Sequence, residues 1–146
     1  MDDAPLPAPS DLLPHAPPML LVDRLTALEP GKHAAGEWFS GTEPLWRVQE
    51  APGTTVIARV LVLEALAQVG ACAVYAVDFY RDKQPLLGAA DRVSFGRPVV
   101  PGDTVELAMW TTVLGSRFGR ASGFASAGGH RVCEADITFV IGDWRA

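Results

Sequence analysis

The stretch Val60-Leu61-Val62-Leu63-Glu64-Ala65-Leu66-Ala67-Gln68-Val69-Gly70-Ala71-Cys72-Ala73-Val74-Tyr75-Ala76-Val77 decides the fold. Its strongly polar side chains are Glu64 and Gln68, one helical turn apart, and it contains no proline. The wider segment from Val56 to Tyr80 is too long for a strand, so the pattern predicts a helix. Apolar residues occupy nearly every side of that helix, which calls for burial inside other structure. A membrane span is the first alternative, since about 18 apolar residues suffice to cross a bilayer. A Glu near mid-span argues against it, and Arg59, Asp78, Arg81 and Asp82 flank the stretch without aromatic belts.

Outward from the helix, the pattern changes period. After Pro85 apolar and polar residues alternate, predicting strands over Leu86 to Phe95, Val105 to Leu114, Phe118 to Ser126 and Val132 to Ile141. Gly96-Arg97-Pro98, Gly115-Ser116 and Gly128-Gly129 separate them. Before the helix, Met19 to Leu28 and His33 to Phe39 read as two strands turned by Pro30-Gly31, and residues 40–55 as a loop. Residues 1–10 read as a flexible Pro-rich lead-in, with Ser10 or Asp11 capping a short turn through Leu12 and Leu13. Residues 11–146 then form a single domain. Two strands, one buried helix and four strands is an α+β order. A curved antiparallel sheet wrapped around one long central helix satisfies it, which is the hot-dog architecture.

Composition narrows the function classes. The chain has 146 residues and a net charge of −5, which argues against general binding to nucleic acid phosphates. Cys72 and Cys133 lie in apolar runs without metal-ligand spacing and read as reduced, buried small hydrophobes. The acidic, Pro-rich N-terminus lacks a basic segment leading into an apolar one, so the expected location is the cytoplasm. No Gly-rich phosphate loop follows a strand and no His/Cys cluster is present, so neither a cofactor nor a metal is expected.

Three separated stretches carry a family resemblance. They are Leu12-Leu13-Pro14-His15 followed by Met19-Leu20-Leu21-Val22-Asp23-Arg24, then Leu61 to Gln68, and finally Phe95-Gly96-Arg97-Pro98-Val99-Val100-Pro101-Gly102-Asp103. In order and spacing the chain resembles the short bacterial 3-hydroxyacyl-acyl-carrier-protein dehydratases from about residue 12 to about 141. The resemblance implies an acyl thioester substrate on acyl carrier protein or coenzyme A. It also implies a homodimer, or a trimer of dimers, because the family's site spans two chains.

By the same resemblance, Glu64 matches the family's catalytic acidic residue. Read from composition alone, it is either a structural Glu reaching backbone amides or Gln68, or a general acid or base in an apolar acyl pocket. The family pairs that carboxylate with a histidine in a His-Phe-Pro-Gly stretch. Here Pro52-Gly53 is preceded by Glu50-Ala51, and counting forward from Glu43-Pro44 puts Gln49 at the histidine position. Glu50 is therefore the candidate replacement base. Where the family has Met-Pro-Gly before the helix, this chain has Ile57-Ala58-Arg59. Arg59 either pairs with Glu50 or Glu64, fills the pocket, or binds an anionic ligand group. The implied substrate contacts are Gly53, Arg59, Gln68 and Pro98.

His15 reads as structural, closing one end of the core, with a catalytic role as the alternative. His33 and His130 read as solvated. Arg81, Lys83, Arg92 and Arg97 read as a solvated surface able to meet an acidic carrier protein. Three functions stay open: a lyase using Glu64 and Glu50, a thioesterase using Glu64 alone, and an acyl-binding subunit without catalysis.

Overall fold

A computed structural model describes residues 4–143. The first element among the described residues is a short helix, α1 (Pro9–Leu12), whose N-cap is Ala8. Ser10 and Asp11, expected as caps, instead lie inside it. Pro9 takes the first helical position, where a missing N–H costs nothing. Pro9, within the segment expected as a flexible lead-in, is buried and helical.

Six strands form one antiparallel sheet: β1 (Arg24–Glu29), β2 (His33–Phe39), β5 (Gln84–Phe95), β6 (Thr104–Leu114), β7 (Phe118–Ala127) and β8 (His130–Gly142). Their spatial order is β1-β2-β6-β7-β8-β5, so β1 and β5 are the edges. The β7–β8 turn uses Gly128 and Gly129 at φ +57° and +78°. A two-residue hairpin turn that matches the sheet twist requires positive φ at both positions, which glycine adopts without steric cost. The first strand starts at Arg24 rather than Met19, because residues 19–22 cross the helix instead of pairing with β2. Gln68 of the helix takes the backbone groups of Met19 and Leu21 that a neighbouring strand would have used.

The segment 40–55, expected as a loop, holds a second, two-stranded sheet. A 3₁₀ turn at Pro44–Trp46 leads into β3 (Arg47–Ala51) and β4 (Thr54–Ile57). Every residue of β3 is exposed, so no apolar alternation marks it. The turn residue Gly53 sits at φ +77°.

The long helix, α2 (Arg59–Tyr75), is shorter than expected at both ends. Ile57 stays extended because its N–H donates to the Val99 carbonyl, and Asp78–Tyr80 closes into a separate 3₁₀ turn. Val62, Leu66, Val69 and Ala73, at helical spacing, are buried where α2 crosses β2 and β6. That crossing is close. A Cβ at Gly36 would meet the Arg24 carbonyl at 2.7 Å and Val69 at 3.4 Å. Enclosure of α2 is incomplete within one chain, in contrast to the expectation from its composition. Val60 is 66% exposed, and Leu61, Leu63, Ala67 and Ala71 are only partly covered. Among the described residues, no helix is long and apolar enough to cross a membrane.

His33 is not simply solvated. Its ring stacks on Trp110 at 4.5 Å, and Nδ1 lies 3.0 Å from the Met109 carbonyl oxygen. His130 is exposed. Both cysteines are free and buried. Burial pushes Cys72 up to about 12, and burial aided by the Glu134 charge pushes Cys133 up to about 11. The native thiols should therefore resist iodoacetamide at about pH 8 and react once urea unfolds the chain, because the thiolate is the nucleophile. Rapid native labelling read by mass spectrometry would contradict this burial. Since unfolded thiols ionise first, their contribution to stability is lost as pH rises from 9.0 to about 11 for Cys133 and to about 12 for Cys72.

Candidate functional site

Glu64 lies in the second turn of α2 on a side that the sheet does not cover. The segment from Leu13 to Val22 runs across that side, anchored by Leu13, Leu21 and Val22, all nearly inaccessible. Gln68, one turn below Glu64 and 1% exposed, holds the segment in place. Its Oε1 accepts from Leu21 N–H at 2.9 Å, and its Nε2 donates to the Met19 carbonyl at 2.7 Å. Nε2 also lies 3.2 Å from Glu64 Oε1 and donates to it. Trp46 Nε1 donates to the Pro18 carbonyl at 3.0 Å, a second tie on the same segment.

This strap brings His15 to Glu64, with Nε2 and Oε1 3.5 Å apart. Beside them opens a cavity of about 190 Å³, walled by Ala71, Tyr75, Leu87 and Phe139 among others. It exceeds the roughly 150 Å³ at which an apolar cavity takes up benzene. Burial pushes the Tyr75 phenol above its ordinary range, so this wall stays neutral. Glu64 and His15 are 29% and 31% exposed, partly covered at the mouth of the cavity. The arrangement is an apolar hollow with two proton-carrying groups at one end.

The other expected site residues lie elsewhere. Glu50 is on the exposed strand β3 and binds Arg59 through two contacts, Oε1 to Nε at 2.7 Å and Oε2 to Nη2 at 3.3 Å. Arg59 Nη1 donates to the Gly96 carbonyl at 3.2 Å, and the guanidinium lies 5.9 Å from the Phe95 ring centre. The hydrogen bond to Glu50 holds the Arg59 pKa above its ordinary value, partly opposed by burial. Arg59 opens α2, where a cation opposes the helix dipole, and the Glu50 carboxylate offsets that. Arg59 and Glu64 leave the helix about 140° apart, at about 100° per residue. Gly53 sits at the β3–β4 turn with open space around it, and Pro98 is half-buried beyond β5. Glu50, Gly53, Arg59 and Pro98 do not line the cavity that Glu64 and Gln68 share.

Of the pairings open for Arg59, the structure shows the one with Glu50. It is solvent-facing, so replacing Arg59 with Ala should change stability by less than about 1 kcal/mol. Equilibrium urea unfolding checks this, and a loss of several kcal/mol would mean that the pair holds the hairpin to the helix. Each of the four cations read as a surface also has a carboxylate neighbour: Arg81 with Asp78, Lys83 with Asp143, Arg92 with Asp136 and Arg97 with Asp103. Sequence reasoning gave His15 a structural role, and its contact with Glu64 had no local signal.

A six-stranded antiparallel sheet curled over one helix, with a helix carboxylate at an apolar hollow, defines the class of hot-dog-fold proteins. Solved structures agree in fold. The dehydratase heterocomplex ApeI:P from Xenorhabdus doucetiae superposes with a TM-score of 0.79 at 15% identity, over 93% of this chain and 91% of that one. A hypothetical thioesterase with coenzyme A from Streptococcus pneumoniae gives 0.59 at 9% identity, over 84% and 88%. Sequence goes further, since the FabA-like domain matches residues 13–136. The 3-hydroxyacyl-acyl-carrier-protein dehydratase FabZ of Moorella thermoacetica is 40% identical over 134 residues, 90% of this chain and 92% of its own length. That of Clostridium acetobutylicum is 39% identical over 132 residues, 90% and 93%. The chain belongs to the FabA-like family and is similar along most of its length to FabZ dehydratases.

Proposed function

We propose that this chain removes water reversibly from 3-hydroxyacyl thioesters carried on acyl carrier protein, in a fatty-acid type of synthesis in the cytoplasm. The observation that carries the reading is Glu64, a carboxylate at the mouth of an apolar cavity in a chain of this family. The acyl chain lies in the hollow, and the carboxyl protonates the leaving β-hydroxyl. The test is dehydration of 3-hydroxyacyl-acyl carrier protein by the purified chain, read as ultraviolet absorbance of the conjugated enoyl thioester. Release of free thiol without enoyl product would instead make the chain a thioesterase.

The working unit is a homodimer joined along β5. This edge strand is 12 residues long and mostly exposed, with Leu86 39% and Leu87 42% accessible. An uncovered edge of that length invites pairing with another strand. A second copy there would also cover apolar surface on α2. Light scattering distinguishes a dimer from a trimer of dimers, and a monomer would defeat the proposal.

The Glu50–Arg59 ion pair favours one further reading, an acyl-binding subunit that works beside an active partner. Both Glu50 oxygens are taken up by the Arg59 guanidinium, and the residue does not line the cavity. Acyl thioester binding without turnover would select this reading.

A further inference from the structure

We propose that His15 is the second proton-transfer group of this site, acting as the base while Glu64 acts as the acid. The inference rests on the dehydration reading above and names how this chain would carry it out. Removing water from a 3-hydroxyacyl thioester needs one group to take the α-proton and another to protonate the departing hydroxyl. Among the described residues lining the cavity, His15 and Glu64 carry the imidazole and the carboxyl, side chains of the types that serve as general base and acid.

Three observations distinguish His15 from a core histidine. Its Nε2 faces Glu64 Oε1 at 3.5 Å, longer than a good N–H···O hydrogen bond, so a substrate atom can compete for it. Its Nδ1 is buried and has no hydrogen-bond partner among the described residues, so Nε2 is the ring atom that meets polar groups. The ring therefore responds through Nε2 to Glu64 and to whatever enters the cavity. The segment that bears it is also fixed on its C-terminal side by Gln68 and Trp46, and on its N-terminal side by buried Leu13. Such bracing positions a catalytic side chain.

The step balances within the pair. The α C–H proton passes to His15 Nε2, and its electron pair forms the Cα–Cβ double bond. The Cβ–O bond breaks, and the oxygen leaves as water with the proton of the Glu64 carboxyl. Oε1 already accepts from Gln68 and faces His15, which leaves Oε2 for that proton. The step ends with an imidazolium beside a carboxylate, and return of the Nε2 proton to the Glu64 carboxyl, whose Oε1 faces it, followed by exchange of the proton to Oε2, restores the starting state. Hydration runs the same path in reverse.

The test compares wild type with His15→Gln, His15→Asn and His15→Ala, using 3-hydroxydecanoyl-acyl carrier protein as the probe. Gln keeps a donor within reach of Glu64 but cannot act as a base. We expect kcat for His15→Gln to fall by about 10² to 10⁴ with KM little changed. Free imidazole should restore part of the His15→Ala rate. A His15→Gln or His15→Asn variant with wild-type kcat overturns the inference and leaves the dehydration reading intact. A wild-type chain that forms no enoyl product overturns both. Should the Gln variant melt early in circular dichroism, failure of imidazole to rescue folded His15→Ala overturns the inference.

Discussion

Glu64→Gln is expected to lower the dehydration rate by about 10² to 10⁴ while leaving the fold intact. The amide is nearly the same size as the carboxyl and still accepts from Gln68 Nε2, now at 3.2 Å from Oε1, so the packing around the helix hardly changes. Proton donation is what it loses. Glu64 is 29% exposed, so the substitution leaves no sealed, unpaired charge behind. The expected signature is a large fall in kcat, a KM near that of wild type, and an unchanged urea midpoint. Full activity in this variant would move the chemistry away from α2 altogether. A fall in stability equal to that in rate would instead mark Glu64 as structural.

Gln68→Leu should produce the largest loss of stability. Gln68 is 1% exposed, and its amide satisfies Leu21 N–H and the Met19 carbonyl. Leucine fills a similar volume but leaves both backbone groups without a partner. A buried, unsatisfied donor or acceptor costs about 1–3 kcal/mol, and since Leu21 is fully buried while Met19 is half-exposed, the loss should be about 1–3 kcal/mol, set mainly by the Leu21 N–H. That is a large fraction of the stability of a domain this size, about 5–15 kcal/mol. The urea midpoint should fall with little change in slope, since the same surface is exposed on unfolding. Activity should fall as well in the folded fraction, because the strap carrying His15 loses its tie to the helix. A variant as stable as wild type would mean that water or rearranged backbone replaces the amide.

Much of the fold was legible because its signals are local. Strand β2 runs over His33–Phe39 as expected, and the four later strands match within about two residues at each end. In β6, β7 and β8 the period-two alternation follows directly from having one face on the core. The exposed hairpin of β3 and β4 was not legible, because neither face of β3 is buried and nothing selects an apolar pattern there. The start of β1 was misplaced for the opposite reason. Met19 to Val22 are as apolar as a strand, but the partner for their backbone is a side chain of α2 rather than another strand.

The site divides in the same way. Glu64 and Gln68 stand out in the sequence because polar residues are rare in an apolar helix, and they do share one cavity. Glu50 and Arg59 are equally visible, but they pair with each other away from it.

By itself the sequence determined the helix, the strands that follow it, the family, and a lone carboxylate where burial makes polar groups costly. Each of these depends on spacing between neighbours along the chain. Only the tertiary structure decided that His15 meets Glu64, and that Glu50 faces Arg59 rather than the hollow. Those contacts depend on where Gln68 ties a distant segment across the helix, and no periodicity along the chain encodes such a crossing.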